Sequence, residues 1–206
     1  MPHRRSWKEQ GIRRGLVAIL CCLGPMVAFA QRPDQSSTPD QRFLPAPGQI
    51  FYLDLDSAAG TFSQWRHDDL RAFNSLRAVM RVLRTRKDSK WGPSFTIGLR
   101  SDDNPNNAND LRLRIAGMDG KRSLDLQLVG SLNGKQIQPI PLKTAGNLNE
   151  VLKVQIDWKS QDIVVFRVGE TESRAIKIGW QVCSAMITGS TGQLKVDSII
   201  FGVVSP

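Results

Sequence analysis

The middle of the sequence reads Asp110-Leu-Arg-Leu-Arg-Ile115, in which apolar side chains take every second position and charged side chains stand between them. Leu124-Asp-Leu-Gln-Leu128 and Val154-Gln-Ile-Asp-Trp158 repeat the alternation. A period of two places successive side chains on opposite faces of a β-strand, so each segment has one face for a core and one for solvent. The sequence therefore predicts an all-β domain.

Other segments extend this prediction along the chain. Short apolar runs cover residues 51–55, 95–99, 163–168 and 194–202, and the turn pairs Asp119-Gly120 and Asn133-Gly134 are typical of tight hairpins. We count about ten strands, which is enough for two stacked antiparallel sheets. The segment Gly189-Ser-Thr-Gly192 is interpreted as a turn.

Residues 68–87 fit two patterns. Helical spacing runs through Leu70, Phe73, Leu76, Met80 and Leu83, whereas strand alternation runs through Leu76, Ala78, Met80 and Val82. Because the rest of the domain is β, we predict a strand from about residue 75 to residue 86. The alternative is one helix that decorates the sandwich.

The first thirty residues have the pattern of an export signal. Five basic residues precede an apolar run from Leu16 to Phe29, and Ala28-Phe29-Ala30 has the small residues of a cleavage site. The run is shorter than the roughly 20 residues that cross a bilayer. We therefore predict a mature chain that begins at Gln31, has no transmembrane anchor and is periplasmic or secreted. Lipidation at the Cys21-Cys22 pair and twin-arginine export through Arg13-Arg14 remain alternatives.

The mature chain is predicted to have two parts. Residues 31–48 contain four prolines without periodicity and are typical of a flexible linker, and residues 49–206 form one β-domain. Loss of the leader lowers the net charge from +9 to +5 and leaves Cys183 as the single cysteine, so no disulfide can form within the chain. Its apolar neighbours predict that Cys183 is buried. A basic surface outside the cytoplasm can meet acidic polysaccharides, anionic lipid head groups or nucleic acid, and charge alone does not choose among them. A soluble surface with no charged partner is the alternative.

A resemblance follows from the order of the strands. It rests on residues 76–86, Trp91-Gly-Pro-Ser-Phe-Thr-Ile-Gly-Leu99, Asp110-Leu-Arg-Leu-Arg-Ile115, residues 154–158 and 162–168, and Val196-Asp-Ser-Ile-Ile-Phe201. Over about residues 50–204 this order resembles the concanavalin-A-like lectin and glucanase superfamily, including its laminin-G-like branch. The resemblance implies a jelly-roll sandwich of two curved antiparallel sheets. It also implies a sugar-binding module, a glycoside hydrolase or a protein-binding module.

Few residues of the mature chain suit catalysis. Its only histidine, His67, lies in a polar stretch that predicts a solvated surface loop. Hydrolases of the superfamily typically carry a Glu-x-Asp-x-x-Glu strand, which this sequence lacks. Two carboxylate pairs share a strand face, Asp54 with Asp56 and Glu170 with Glu172, and these are the candidates for glycoside hydrolysis. Solvent-facing carboxylates explain both pairs equally.

The loop Ser101-Asp-Asp-Asn-Pro-Asn-Asn-Ala-Asn-Asp110 is rich in the oxygen ligands that Ca²⁺ requires. Five of its residues form a candidate calcium site: Asp102, Asp103, Asn104, Asn106 and Asp110. The loop has neither the turn glycine nor the closing glutamate of an EF-hand. Asn and Asp also favour plain turns, which is the alternative interpretation.

Two further groups are candidate ligand-binding residues. Trp65 and Trp91 stand in polar surroundings, where a flat ring can stack on a sugar. Arg77, Arg81 and Arg84 belong to a basic cluster suited to an acidic glycan or a phosphate. No aromatic residues are interspersed there, so we do not expect a nucleic-acid partner.

These observations predict an exported β-sandwich that binds rather than transforms its ligand, which we expect to be a glycan of the envelope or environment. A hydrolase or lyase that uses the carboxylate pairs is one alternative. A laminin-G-like module for an extracytoplasmic protein is another.

Overall fold

The computed structural model describes residues 49–88, 90–101, 109–117, 121–159 and 162–203, and all regular secondary structure in them is β-strand. The strands are β1 (Ile50–Asp68), β2 (Ser75–Thr85), β3 (Ser94–Arg100), β4 (Asp110–Gly117), β5 (Ser123–Leu132), β6 (Lys135–Gln136), β7 (Ile140–Asn147), β8 (Leu152–Lys159), β9 (Ile163–Val168), β10 (Thr171–Glu172), β11 (Ile176–Lys177) and β12 (Ser184–Gly202). In this part of the chain no helix is long and apolar enough to cross a membrane. The predicted leader and linker, residues 1–48, lie outside it.

The long strand β12 organises an antiparallel sheet. Residues 184–190 of β12 pair with β3, and residues 192–202 pair with β2, while β1 follows β12 along both stretches. Because β1 occupies one side of β12, both β2 and β3 lie on the other side, one after the other. From there the sheet continues as two arms, β2-β8-β9 with β10 and β11, and β3-β4-β5 with β6 and β7.

The two arms enclose the core. Every second side chain of each arm is buried, including Met80 on β2, Ile97 on β3, Leu113 on β4 and Phe166 on β9. The predicted all-β fold is therefore confirmed. The two predicted sheets are arms of one continuous hydrogen-bonded sheet that is folded over its own core, because β1 and β12 belong to both.

The sheet bends over the core at residues 189–192. These residues lie inside strand β12 and do not form the turn that the sequence predicted. Thr191 is buried there with a positive φ of 54°, and its hydroxyl accepts a hydrogen bond from the N–H of Gly60 at 3.3 Å. Gly60 also has a positive φ, 71°, within a register shift of β1. Gly192 allows a close approach, since a Cβ there would lie 2.5 Å from the carbonyl oxygen of Arg84.

Three local predictions have clear outcomes. Residues 75–85 form strand β2, so the strand interpretation is confirmed and the helix interpretation is wrong. Asn133-Gly134 forms the hairpin turn between β5 and β6, with both residues at positive φ, whereas Asp119-Gly120 lies outside the described residues. Cys183 is half-buried rather than buried, and it lies just before the first residue of β12.

Candidate functional site

One outer face of the sheet is polar. Residues that pair directly across antiparallel strands point to the same face. The β3-β4-β5 arm and the adjoining part of β12 have an outer face opposite the core. On this face, the side chains of paired residues form rows that run across the strands. We call it the groove face.

The middle row of the groove face runs through Gln64, Thr188, Thr96, Arg114 and Gln127. The hydroxyl oxygens of Thr96 and Thr188 lie 2.7 Å apart. The guanidinium of Arg114 donates to Gln127 Oε1 at 2.8 Å. Three strands therefore present a hydroxyl pair and a cation side by side, at about 4.8 Å per strand.

The next row places Arg112 opposite Gly98. A Cβ on Gly98 would lie 2.6 Å from both Cα and Cγ of Arg112, so the absent side chain gives the arginine stem its place on the sheet. Arg112 Nε lies 2.7 Å from Asp110 Oδ2 in an ion pair, and Asp110 Oδ1 accepts a hydrogen bond from the N–H of Ser131 at 2.8 Å. Both carboxylate oxygens of Asp110 are thus engaged at the start of β4.

These rows form the floor of an open groove of about 460 Å³. It is lined by Ser94, Thr96, Asp110, Arg112, Arg114, Val129, Gly130, Ser131, Gln136, Ile137, Pro139, Thr188 and Ser190. The volume is in the usual range of small-ligand sites, roughly 300–1,000 Å³. At the β1 edge Phe62 pairs with Ser190, so its ring is on the groove face, where 62% of it is exposed.

A larger cleft of about 630 Å³ lies beside the groove and shares Ile137 and Pro139 with it. Its walls are mainly apolar, with Ile140 and Ile176 among them, and Arg174 and Lys177 are its charged residues. It offers few hydrogen-bonding groups that converge on one point. The groove is therefore the better candidate for a polar ligand.

The predicted arginines lie on the outer face of the other arm. Arg81 pairs with Asp197 at 2.7 Å and Arg84 with Asp56 at 2.7 Å, while Arg77 is exposed. The Arg81 and Arg84 charges are thus compensated by neighbouring carboxylates. The structure does not bring these residues together with the groove face.

The two predicted tryptophans differ in environment. Trp65 is half-buried in an aromatic cluster, with its ring 5.8 Å from that of Phe51 and 5.9 Å from that of His67. Trp91 is 49% exposed in the connection from β2 to β3, and its backbone N–H donates to Asp88 Oδ1 at 2.9 Å. Trp91 therefore keeps a ring free for a ligand, and Trp65 mainly packs.

His67 is not a solvated loop residue, so that prediction was wrong. It lies in β1, is half-buried, and stacks on Phe201 with ring centroids 5.0 Å apart. Burial lowers the pKa of His67, and the charges of Asp68 and Asp69 oppose the shift. The polar neighbours that suggested a loop alternate outward along the strand.

Three of the four predicted carboxylates have polar partners within the protein. Asp56 pairs with Arg86 and Arg84, which lower the pKa of its carboxyl, whereas a general acid needs a raised pKa. Asp54 accepts hydrogen bonds from Gln193, and Glu172 pairs with Arg167. Glu170 is exposed, so all four carboxylates fit the solvent-facing interpretation.

Of the predicted calcium ligands, Asp102, Asp103, Asn104 and Asn106 lie outside the described residues. Asp110 is described, and its oxygens already have protein partners. Among the described residues, no group of three or more His, Cys, Asp or Glu side chains is placed to hold a metal ion. The calcium site stays a prediction for the loop.

The site residues that sequence reasoning missed are Thr96, Arg112, Arg114, Thr188 and Phe62. Arg112 and Arg114 occupy the polar positions of the alternation that predicts β4. They were assigned to solvent, because strand periodicity cannot distinguish a plain outer face from one that lines a groove.

No protein-family model and no curated protein matches the sequence. Solved structures do match. An alginate lyase from Pseudomonas aeruginosa has a TM-score of 0.55 at 14% identity, over 76% of this chain and 83% of that one. A β-glucanase from Bacillus licheniformis has a TM-score of 0.50 at 10% identity, over 74% and 78%. A galectin from Caenorhabditis elegans has a TM-score of 0.47 at 13% identity, over 74% and 95%.

The chain has the concanavalin-A-like lectin and glucanase fold, as the order of its strands predicted. Lectins, glycoside hydrolases and lyases share this fold. The likeness establishes the fold, and the residues of the site must decide between binding and catalysis.

Proposed function

We propose that this protein is an exported, non-catalytic module that binds a carbohydrate in the groove on the β3-β4-β5 arm. The observation that carries the proposal is the middle row, where Thr96, Thr188 and Arg114 present convergent hydrogen-bonding groups on the floor of a groove. Hydroxyl-rich ligands are recognised by such groups on a rigid sheet. The predicted leader supports a partner outside the cytoplasm.

An exposed ring at the rim of the groove supports the same proposal. Phe62 is on the groove face next to Ser190, and 62% of it is exposed. A flat aromatic ring packs on the apolar face of a pyranose, while the polar floor bonds the hydroxyls. The second exposed ring, Trp91, precedes β3, whose first residue lines the groove.

The separation of the two acids on β4 and β5 of the groove face supports binding without catalysis. Asp125 pairs with Ala116, six residues along β4 from Asp110. At about 3.3 Å per residue their separation is about 20 Å. Glycosidases need two carboxyl groups roughly 5–9.5 Å apart, so this pair does not meet the requirement.

A laminin-G-like protein-interaction module is the second candidate. Tyr52 and Ile50 are 71% and 45% exposed on β1. No strand among the described residues covers the outer edge of β1. Apolar exposure at a strand edge suits a protein partner.

A glycan array screened with the mature chain, residues 31–206, tests the proposal. It should be run with Ca²⁺ and again with a chelator, with Ser94→Trp as a variant that fills the groove. Ser198→Trp is the matched control, because Ser198 is half-buried on the outer face of the other arm. We expect binding that Ser94→Trp abolishes and Ser198→Trp preserves. If no glycan binds in any condition, the result would contradict the proposal and favour the protein-interaction module.

A further inference from the structure

Arg114 is the cation at the centre of the groove face, and it is held in place by a chain of hydrogen bonds. Gln127 donates its amide to Asp125 Oδ2, which turns Gln127 Oε1 toward Arg114. The Arg114 guanidinium donates to that oxygen at 2.8 Å. A guanidinium has five N–H donors, so most of those of Arg114 remain for another group.

Arg114 differs in its charge partner from Arg112, the other arginine that lines the groove. Arg112 lies in the next row and pairs with Asp110. No carboxylate among the described residues forms an ion pair with Arg114. Its Nε is buried and has no hydrogen-bond partner there.

An anionic ligand group would supply Arg114 with the counter-charge that no described carboxylate provides. Arg114 is one of the residues that line the groove of about 460 Å³. A carboxylate is planar and matches the fork of a guanidinium with two parallel hydrogen bonds. The Thr96 and Thr188 hydroxyls occupy the next two strands of the row, within about 10 Å.

We propose that Arg114 binds the carboxylate of an acidic sugar, and that the carbohydrate recognised in the groove is a polyuronate. This inference rests on the proposed carbohydrate-binding function and adds the chemical class of the ligand. The carboxylate sits on Arg114, and the sugar hydroxyls bond the threonine pair. Gln127 and Asp125 act as positioning residues that fix the direction of the guanidinium.

The experiment compares two forms of one ligand. Calorimetric titrations use the mature chain with a hexameric oligogalacturonide and with its methyl ester, which keeps the sugar and removes the charge. We expect the acid to bind about 10- to 100-fold more tightly than the ester, the effect of one charge-assisted pair. We also expect added salt to reduce that preference.

Three variants test whether Arg114 causes the preference for the acid over the ester. Arg114→Gln should make the acid and the ester equal, and Arg114→Lys should keep only part of the difference, because an ammonium lacks the planar fork. Arg77→Gln is the matched control, since Arg77 is exposed on the outer face of the other arm. It should leave the preference intact.

Several outcomes would overturn the inference. Equal binding of acid and ester by the wild-type chain would do so without any variant, and so would a preference that survives Arg114→Gln. Tighter binding of a sulfated oligosaccharide than of the uronate would mean that the ligand group on Arg114 is a sulfate and not a carboxylate. Binding of neutral glycans alone would refute the inference and leave the proposed function standing, whereas no glycan binding at all would refute both.

Discussion

The hydroxyl oxygens of Thr96 and Thr188 lie 2.7 Å apart, on strands β3 and β12 at the floor of the groove. One hydroxyl donates to the other, which leaves one O–H group free to donate outward. Arg114 follows in the same row. The hydrogen-bonding pattern is therefore set before a ligand arrives, and little conformational freedom is lost on binding.

The threonine pair gives a first prediction. Thr188→Val keeps the shape of the side chain and removes one hydroxyl, so we expect the free energy of unfolding to change by about 1 kcal/mol or less. The affinity for the glycan should fall about five- to tenfold. Urea denaturation and calorimetry measure the two quantities. Thr171→Val, in the outer hairpin of the other arm, should leave affinity unchanged. An unaltered affinity in Thr188→Val would show that the hydroxyl pair does not take part in ligand binding.

Gly98 gives a prediction about how the groove is built. A Cβ there would lie 2.3 Å from the carbonyl oxygen of Leu111, so Gly98→Ala must displace β3 or β4. We expect a loss of about 3 kcal/mol of unfolding free energy. Gly92→Ala is the control, because nothing lies within 4 Å of a Cβ at that position. Equal stability of the two variants in urea would contradict the close packing of Arg112 on Gly98.

His67 predicts a pH dependence of stability. Burial lowers its pKa in the folded state, so the unfolded chain takes up the proton first as the pH falls. The free energy of unfolding should therefore be constant above about pH 6.5 and decrease below it, by at most about 1.4 kcal/mol per pH unit. The decrease should end once the pH is below the folded pKa.

The measurement for His67 is a set of urea titrations between about pH 7.5 and pH 5.5. His67→Phe keeps a ring against Phe201 and has no titrating group, so its curve should lack this slope. An imidazole resonance that titrates at or above pH 6.5 in the folded chain would contradict the account.

The export prediction is tested at the N-terminus. Expressed with its own leader in a Gram-negative host, the protein should be recovered outside the cytoplasm with Gln31 as its first residue. N-terminal sequencing of the purified protein measures this. Recovery of an uncleaved chain in the cytoplasm would contradict it.

Most of the fold can be predicted from the sequence, but less of the candidate site can. Alternation in Asp110-Leu-Arg-Leu-Arg-Ile115 predicts both the strand and its buried face, because period two is a direct consequence of strand geometry. The bend of the sheet at Thr191 escaped prediction, since it involves a contact with Gly60, 131 residues away along the chain. Arg114 also escaped prediction, because its role arises from neighbours on three other strands.

The most direct test of the central claim is to map the glycan on the protein by amide chemical-shift perturbation, using ¹⁵N-labelled mature chain and the strongest ligand of the array. If the ligand binds in the groove, the largest shifts should fall on the groove face, at Thr96, Gly98, Arg114 and Thr188. Shifts concentrated instead at Arg77, Arg81 and Ser198 would place the ligand on the other arm and contradict the claim.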